Sequence, residues 1–223
     1  MSRGAREAER KVEATALFPA RASVVSLQGE MHMEHACCSL SGFTAALDDL
    51  VAQTTEAHTC AAFVQRTLPD LLQSSNCLPA AQMQPAADSY ARHLIHRHPH
   101  GRYVMVAMVW QPGQRTPIHD HGGVWCVEGV YQGQMHITQY DVTALEAGHV
   151  SATPTREITA GLGNVGALIP PYEYHVMANT SQETAVTLHV YGADLQSCRV
   201  FVDDGHGRYH VQTRHLHYTS INS

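Results

Sequence analysis

Residues Gly113–Gly133 read "GQRTPIHDHGGVWCVEGVYQG". His119 and His121 stand two positions apart, Cys126 follows five residues after the second histidine, and glycines frame both ends. Side chains of an extended segment alternate between faces, so "TPIHDH" would present both imidazoles on one face, about 7 Å apart along the chain. Two rings so placed can converge on one cation. A lone His-x-His is weak evidence, because half-buried strands produce it by chance. The frame strengthens it: Gly113 lies six positions before His119 and Gly133 twelve after His121.

The surroundings of this stretch are β in character. "RYVMVAMVW", "GVWCVEGVYQG", "QMHITQYDVT", "REITAG", "VGALIPP", "YHVMANT", "TAVTLHVYG", "CRVFVDD" and "RYHVQTR" are short runs rich in Val, Ile, Thr, Tyr or Trp, punctuated by glycine, proline or Asn/Asp. Strands at such close spacing predict a mainly β fold, an antiparallel β-barrel or double-stranded roll. Upstream, "LSGFTAALDDLVAQTTEA" carries Phe43, Ala46, Leu47 and Leu50 at helical spacing, with Ser41 available as N-cap. "TCAAFVQRTLPDLLQSS" predicts a second helix, interrupted or kinked at Pro69. Residues 1–35 lack sustained periodicity and read as a flexible arm, with Met31 or Met33 as alternative starts. Residues 36–223 read as one domain, a small helical cap over 36–100 and the barrel over 101–215.

Composition narrows the function classes. The chain has 223 residues, 44% hydrophobic and 15% charged, as a globular domain does. A net charge of −6 with scattered Lys and Arg offers no basic face for a phosphate backbone, so no nucleic-acid partner is expected. No apolar run approaches the roughly 20 residues that span a bilayer, and the N-terminal stretch lacks the apolar core of a secretory signal. Cys37, Cys38, Cys60, Cys77, Cys126 and Cys198 form no Cys-x-x-Cys pair. They read as reduced thiols of a cytoplasmic protein. Of the 17 histidines, "HLIHRHPH" (His93, His96, His98, His100) reads as a solvated turn region, because its irregular spacing does not fix a coordination geometry.

The frame around the two histidines resembles the first motif of the cupin superfamily, G-x5-H-x-H-x4-E-x6-G, in register at every position but one: Cys126 stands where the glutamate ligand would be. The second motif, P-x-G-x2-H-x3-N, resembles "PPYEYHVMAN", where Pro170, His175 and Asn179 match and Tyr172 replaces glycine. The resemblance implies a cupin-type roll with a metal held by His119, His121 and His175. Imidazole suits iron, nickel, copper and zinc alike. Without the carboxylate, the cation's charge would favour an anionic ligand.

A cupin with three histidines and cysteine in place of the glutamate resembles the thiol dioxygenases, cysteine dioxygenase above all. Four patches from Tyr90 to about Phe201 carry the likeness: "YAR" at 90–92, the His-x-His stretch with Cys126, His175 with Asn179, and "TLHVYG". The resemblance implies Fe(II) as cofactor, and a small thiol (L-cysteine first) and dioxygen as substrates, yielding the sulfinate. It gives Arg92, in a Tyr-x-Arg patch with Tyr90, the substrate carboxylate, and Trp125 is a further candidate substrate-binding residue. Thr187, His189 and Tyr191 become a relay that sends the Tyr191 hydroxyl toward the metal, oriented by His189. Cys126 becomes a neighbour of Tyr191 and a candidate thioether partner.

Departures leave the substrate open. "VWQPGQRTPIHDH" and Trp125 look more like 3-mercaptopropionate dioxygenases, which tend to carry an arginine where Arg199 could sit. A second arginine could also serve a dicarboxylic thiol such as mercaptosuccinate, and Arg199 could equally be an ordinary surface residue. Another metal-cupin enzyme and a ligand-binding cupin without catalysis are the rival readings.

Overall fold

The computed structural model describes residues 39–220 except Asn76 and Tyr172, together with all side chains in that range but those two and Ala147. The expected arm over 1–35, Cys37, Cys38 and the Tyr172 substitution lie outside the described residues. Among the described residues two α-helices precede eleven strands: α1 Leu40–Gln53, α2 Ala57–Gln73, β1 Ala91–Arg97, β2 Val104–Trp110, β3 Ile118–His119, β4 Cys126–Gln132, β5 Gln134–Ala144, β6 His149–Gly161, β7 Val165–Leu168, β8 His175–Ala178, β9 Ala185–Tyr191, β10 Ser197–Asp203 and β11 Tyr209–His215. All pairings between the strands are antiparallel. The fold is mainly β, a roll of two sheets with a helical cap, as expected. Among the described residues, no helix is long and apolar enough to cross a membrane.

Both helices form where expected, with different ends. Ser39, not Ser41, caps α1 by accepting from the Gly42 amide at 3.1 Å. Phe43, Leu47 and Val51, spaced four residues apart, form one buried stripe. Glu56 caps α2, accepting from the His58 and Thr59 amides at 2.9 and 2.6 Å. α2 runs on through Pro69 rather than breaking there. A proline inside a helix costs about 3 kcal/mol. Leu68, Leu71 and Leu72 are buried on either side of it, and each buried leucine contributes roughly 1.5–3 kcal/mol, enough to offset that cost.

The first sheet has the order β1-β2-β9-β4-β7, and the second closes on itself as β10-β11-β6-β5-β8-β3. β2 and β9 are buried along their whole length. One face of the first sheet meets the helices: Met105, Ala107, Val109, Val127, Val186, Leu188 and Val190 form a single core with Phe43, Leu47, Leu68 and Leu72. The opposite face looks into the roll, where Val104, Val106, Trp110, Cys126 and Tyr191 meet Met135, Ile137 and Met177 of the second sheet.

The histidine-rich stretch departs from its expected form. "ARHLIHR" is strand β1, paired with β2, so β structure begins ten residues before the expected boundary at 101. His93 is buried with Nε2 2.7 Å from the Gln84 carbonyl, and His96 stacks on Tyr103. Only His98–Gly101 forms the turn, closed by Gly101 N–H donating to the His98 carbonyl. Pairing with a wholly apolar β2 overrides the polar composition of β1.

Candidate metal centre and substrate pocket

β3 is two residues long, yet it fixes the centre. His119 lies directly opposite His175 of β8 on one side and Val200 of β10 on the other. His121 follows just beyond β3, its amide donating to Glu173 Oε2 at 2.9 Å. The imidazoles of His119, His121 and His175 converge with ring centroids 4.7–5.2 Å apart, and one ligating nitrogen from each lies within 4.8 Å of the others. The three residues that the motifs single out meet at one point.

Each ring has a potential acceptor behind its Nδ1. For His119 it is the Pro117 carbonyl at 3.1 Å, for His121 Glu173 Oε2 at 3.5 Å, and for His175 Glu128 Oε1 at 3.5 Å. The Pro117 carbonyl, which only accepts, puts the His119 proton on Nδ1 and leaves its Nε2 free to ligate, whereas Nδ1 of His121 and of His175 forms no hydrogen bond among the described residues. Both nitrogens of His175 are buried with no closer hydrogen-bond partner among the described residues. Burial and the neighbouring His121 push His119 down to about 3, while burial and the other rings push His175 well below the usual imidazole range. Those two rings are therefore neutral at physiological pH, the form that binds a metal. Three converging imidazoles, with orphaned nitrogens in a buried centre, fit a divalent transition metal.

The same pocket is lined by Tyr90, Arg92, Glu128, His189, Tyr191 and Arg214, among others. Tyr90 stacks on Trp110 with centroids 4.4 Å apart. Arg92 is buried, its NH1 donating to the His217 carbonyl at 3.4 Å and its guanidinium lying over the Tyr218 ring. Residues after β11 hold it there: Arg92 N–H donates to Thr219 Oγ1, and Thr219 N–H donates to the Arg92 carbonyl. Among the described residues no carboxylate lies within ion-pair distance of Arg92. A buried cation without an anion is a site for one.

Thr187, His189 and Tyr191 share the inward face of β9. Thr187 Oγ1 is 2.8 Å from His189 Nε2, and the Tyr191 hydroxyl is 3.4 Å from His189 Nδ1. Trp110 Nε1 donates to Thr187 Oγ1 at 3.0 Å. Cys126 is the strand partner of Tyr191, wholly buried, with Sγ 4.0 Å from His189 Nδ1. Burial pushes the Cys126 thiol and the Tyr191 phenol well above their usual ranges and His189 well below its own.

Two of the expected substrate residues are not brought to the pocket. The Arg199 side chain is 54% exposed and ion-pairs through Nε with buried Asp120 Oδ2 at 2.5 Å. Arg199 sits on the outer side of β10, between Cys198 and Val200, both of which line the pocket. Trp125 is buried in the helix-side core, and a β-carbon on Gly192 would collide with its indole ring. Its carbonyl accepts from the Gly192 amide, so Trp125 shapes the backbone just after Tyr191.

Sequence reasoning missed Glu128, Glu173 and Arg214. Glu128 was legible in principle: it lies two residues from Cys126 on one strand, hence on the same face. Burial alone pushes its carboxyl up to about 8. Glu173 and Arg214 had no local signal, because only the closure of the roll brings them to this centre.

A β roll that gathers three imidazoles in a pocket with a buried arginine offers a three-histidine site that could hold a metal ion. The chain belongs to the cysteine dioxygenase family: the family model for cysteine dioxygenase type I matches residues 38–204. Cysteine dioxygenase type 1 of Danio rerio is 28% identical over 123 residues, covering 50% of this chain and 55% of that protein. The chain thus aligns with about half the length of this curated relative. Among solved structures, the protein TT1209 from Thermus thermophilus is 18% identical, covering 49% of this chain and 89% of that one, with a TM-score of 0.38. A double-stranded β-helix protein from Klebsiella pneumoniae is 15% identical, covering 55% and 88%, with a TM-score of 0.41.

Proposed function

We propose that the protein is an Fe(II)-dependent thiol dioxygenase that converts a small carboxylated thiol, L-cysteine first among the candidates, and dioxygen to the sulfinate. The observation that carries this reading is the convergence of His119, His121 and His175 in one pocket with a buried Arg92 that has no acidic partner among the described residues. Family membership supports the same chemistry.

In this reading the three imidazoles hold the iron, which supplies an electrophilic centre that favours thiolate over thiol and engages dioxygen. Arg92 grips the substrate carboxylate and so places the sulfur. Tyr191 directs its hydroxyl into the pocket, and its raised pKa keeps the proton available for donation. The overall change is RSH + O2 → RSO2H: sulfur is oxidised by four electrons, both oxygen atoms end on it, and no outside reductant is required. Cys126 and Tyr191, partners across β4 and β9, are proposed as a thioether pair. Joining sulfur to a ring carbon would remove one hydrogen from each, with dioxygen accepting the two electrons. An intact mass two hydrogens lower after turnover would report it.

Arg214 favours a second reading. It lines the pocket from β11 and lies close enough to Tyr90 to hydrogen-bond it, so two guanidinium groups face the same space. A dicarboxylic thiol such as mercaptosuccinate would engage both, whereas 3-mercaptopropionate, like cysteine, offers a single carboxylate. The deciding experiment supplies iron-loaded protein with cysteine, 3-mercaptopropionate and mercaptosuccinate in turn, following oxygen uptake and sulfinate formation. One of the three should drive stoichiometric uptake. No uptake with any of them would overturn the thiol dioxygenase reading in favour of a ligand-binding role.

A further inference from the structure

β1 lies at the end of the first sheet, where it pairs with β2 alone among the described strands. The chain that follows β11 returns to it at Arg92. Thr219 brackets that residue: Arg92 N–H donates to Thr219 Oγ1 at 2.9 Å, and the Arg92 carbonyl accepts from Thr219 N–H at 2.7 Å. Leu216 N–H donates to the Gln196 carbonyl at 2.9 Å, so residues 216–219 form a strap tied at both ends. Leu216 and Tyr218 pack against the core inside the roll, and Leu216 lines the pocket.

Two guanidinium groups lie over the Tyr218 ring, Arg92 Cζ 5.3 Å and Arg97 Cζ 5.7 Å from its centroid. The period of two along a strand would send residues 92 and 97 to opposite faces. A bulge between Leu94 and His96 corrects this. Arg92 stands opposite Met108 and Arg97 opposite Val104, so five steps on β1 match four on β2 and both arginines share one face. The acid beside them goes to only one. Asp194 Oδ2 is 2.7 Å from Arg97 Nη2, and Asp194 Oδ1 accepts from the Tyr218 hydroxyl at 2.6 Å. One carboxylate thus pairs with Arg97 and anchors the ring. Arg92 is left with the ring, the His217 carbonyl at 3.4 Å and no acid among the described residues. Attraction to a ring face consumes none of the five N–H donors of a guanidinium.

We propose that Tyr218 is a positioning residue for substrate binding: its ring holds the Arg92 guanidinium in the pocket with donors left for a carboxylate, and Asp194 holds the ring through its hydroxyl. The arrangement sorts two arginines on one face into a paired one, Arg97, and a receptive one, Arg92. The proposal rests on the reading that Arg92 grips the carboxylate of the thiol. Iron does not enter it, so it can be tested on the metal-free chain.

The test is NMR of the arginine Nε–H groups in the metal-free full chain labelled with 15N-arginine, titrated with propionate, a carboxylate that carries neither thiol nor amine. Arg92 is assigned by the signal lost in Arg92→Gln. In wild-type protein propionate should move that signal, and nuclear Overhauser contacts should link the Arg92 side chain to the Tyr218 ring. Tyr218→Leu removes the ring and should weaken propionate binding at Arg92 about 2–30-fold. Tyr218→Phe keeps the ring but loses the tie to Asp194, and should fall between wild type and the leucine variant. In iron-loaded protein, Tyr218→Leu should raise KM for the oxidised thiol by the same factor while kcat moves less than about twofold. A leucine variant with an unmoved Arg92 signal and wild-type propionate affinity would overturn the proposal. So would a phenylalanine variant as weak as the leucine one, or a wild-type Arg92 that ignores propionate. Absence of Overhauser contacts to the ring in wild-type protein would overturn it even if the leucine variant does not fold. If no thiol drives oxygen uptake yet propionate binds at Arg92 as described, the functional reading fails and the role of Tyr218 stands.

Discussion

The two faces of strand β9 are made for different work. Val186, Leu188 and Val190 point to the helices and join an apolar core, whereas Thr187, His189 and Tyr191 point into the roll beside the three histidines. β4 repeats the division, with Val127 toward the helices and Cys126 and Glu128 toward the centre. Hydrophobic burial on the helix side holds the strands in place without any directional contact. That rigidity lets the inner face carry buried polar groups, whose desolvation would otherwise favour rearrangement. One face supplies stability, and the other spends it on a fixed geometry.

Substitutions on the two faces should therefore separate chemistry from stability. The largest effect is expected at the inner end: His175→Ala should abolish iron retention and thiol-dependent oxygen uptake, read by metal analysis of purified protein alongside an oxygen electrode. Iron held at wild-type level would show that the ligand set is wrong. Next comes Arg92→Gln. A charge-assisted contact is worth about 1.5–3 kcal/mol, so kcat/KM for a carboxylated thiol should fall about 10–150-fold. An aminothiol without a carboxylate should be unaffected, and an equal loss for both would remove Arg92 from carboxylate binding.

On the opposite face, Leu188→Ala should destabilise the fold by about 2–5 kcal/mol, measured by denaturant unfolding. Its kcat/KM per folded molecule should stay at the wild-type level, since Leu188 belongs to the helix-side core. If catalysis fell with stability, the two faces would not be independent. Addition of Fe(II) to wild-type protein should raise the melting temperature, with about 2.7 kcal/mol of stabilisation at a hundredfold excess over Kd; His175→Ala should show no such rise. The smallest effect is expected from Arg199→Gln, whose KM for any thiol should change by less than about twofold, because that side chain faces solvent and Asp120. A larger KM change would return Arg199 to the substrate.

Much of the inner face was legible because its residues lie at short, regular spacing. His-x-His on an extended segment and Thr-x-His-x-Tyr on a strand each define a face by period two alone. Glu128 obeys the same rule and could have been read from Cys126. β1 was harder: its four polar residues mask a strand that owes its existence to pairing with β2. β2, apolar and buried on both sides, shows no alternation to reveal which side faces the helices. Arg199 and Arg214 mark the limit. They lie on adjacent, paired strands, and Cys198 is the strand partner of Arg214. Only one of the two reaches the pocket.

The amino-acid sequence by itself determined the mainly β class, the three histidines that converge and the Thr187–His189–Tyr191 face, because local periodicity and motif register carry that information, and the resemblance to thiol dioxygenases added the pairing of Cys126 with Tyr191. Tertiary structure alone decided which arginines line the pocket and that Glu173 stands behind His121. Those choices depend on strand pairing across long stretches of chain and on residues 216–220 folding back over Arg92, and no local pattern encodes a contact between segments so far apart.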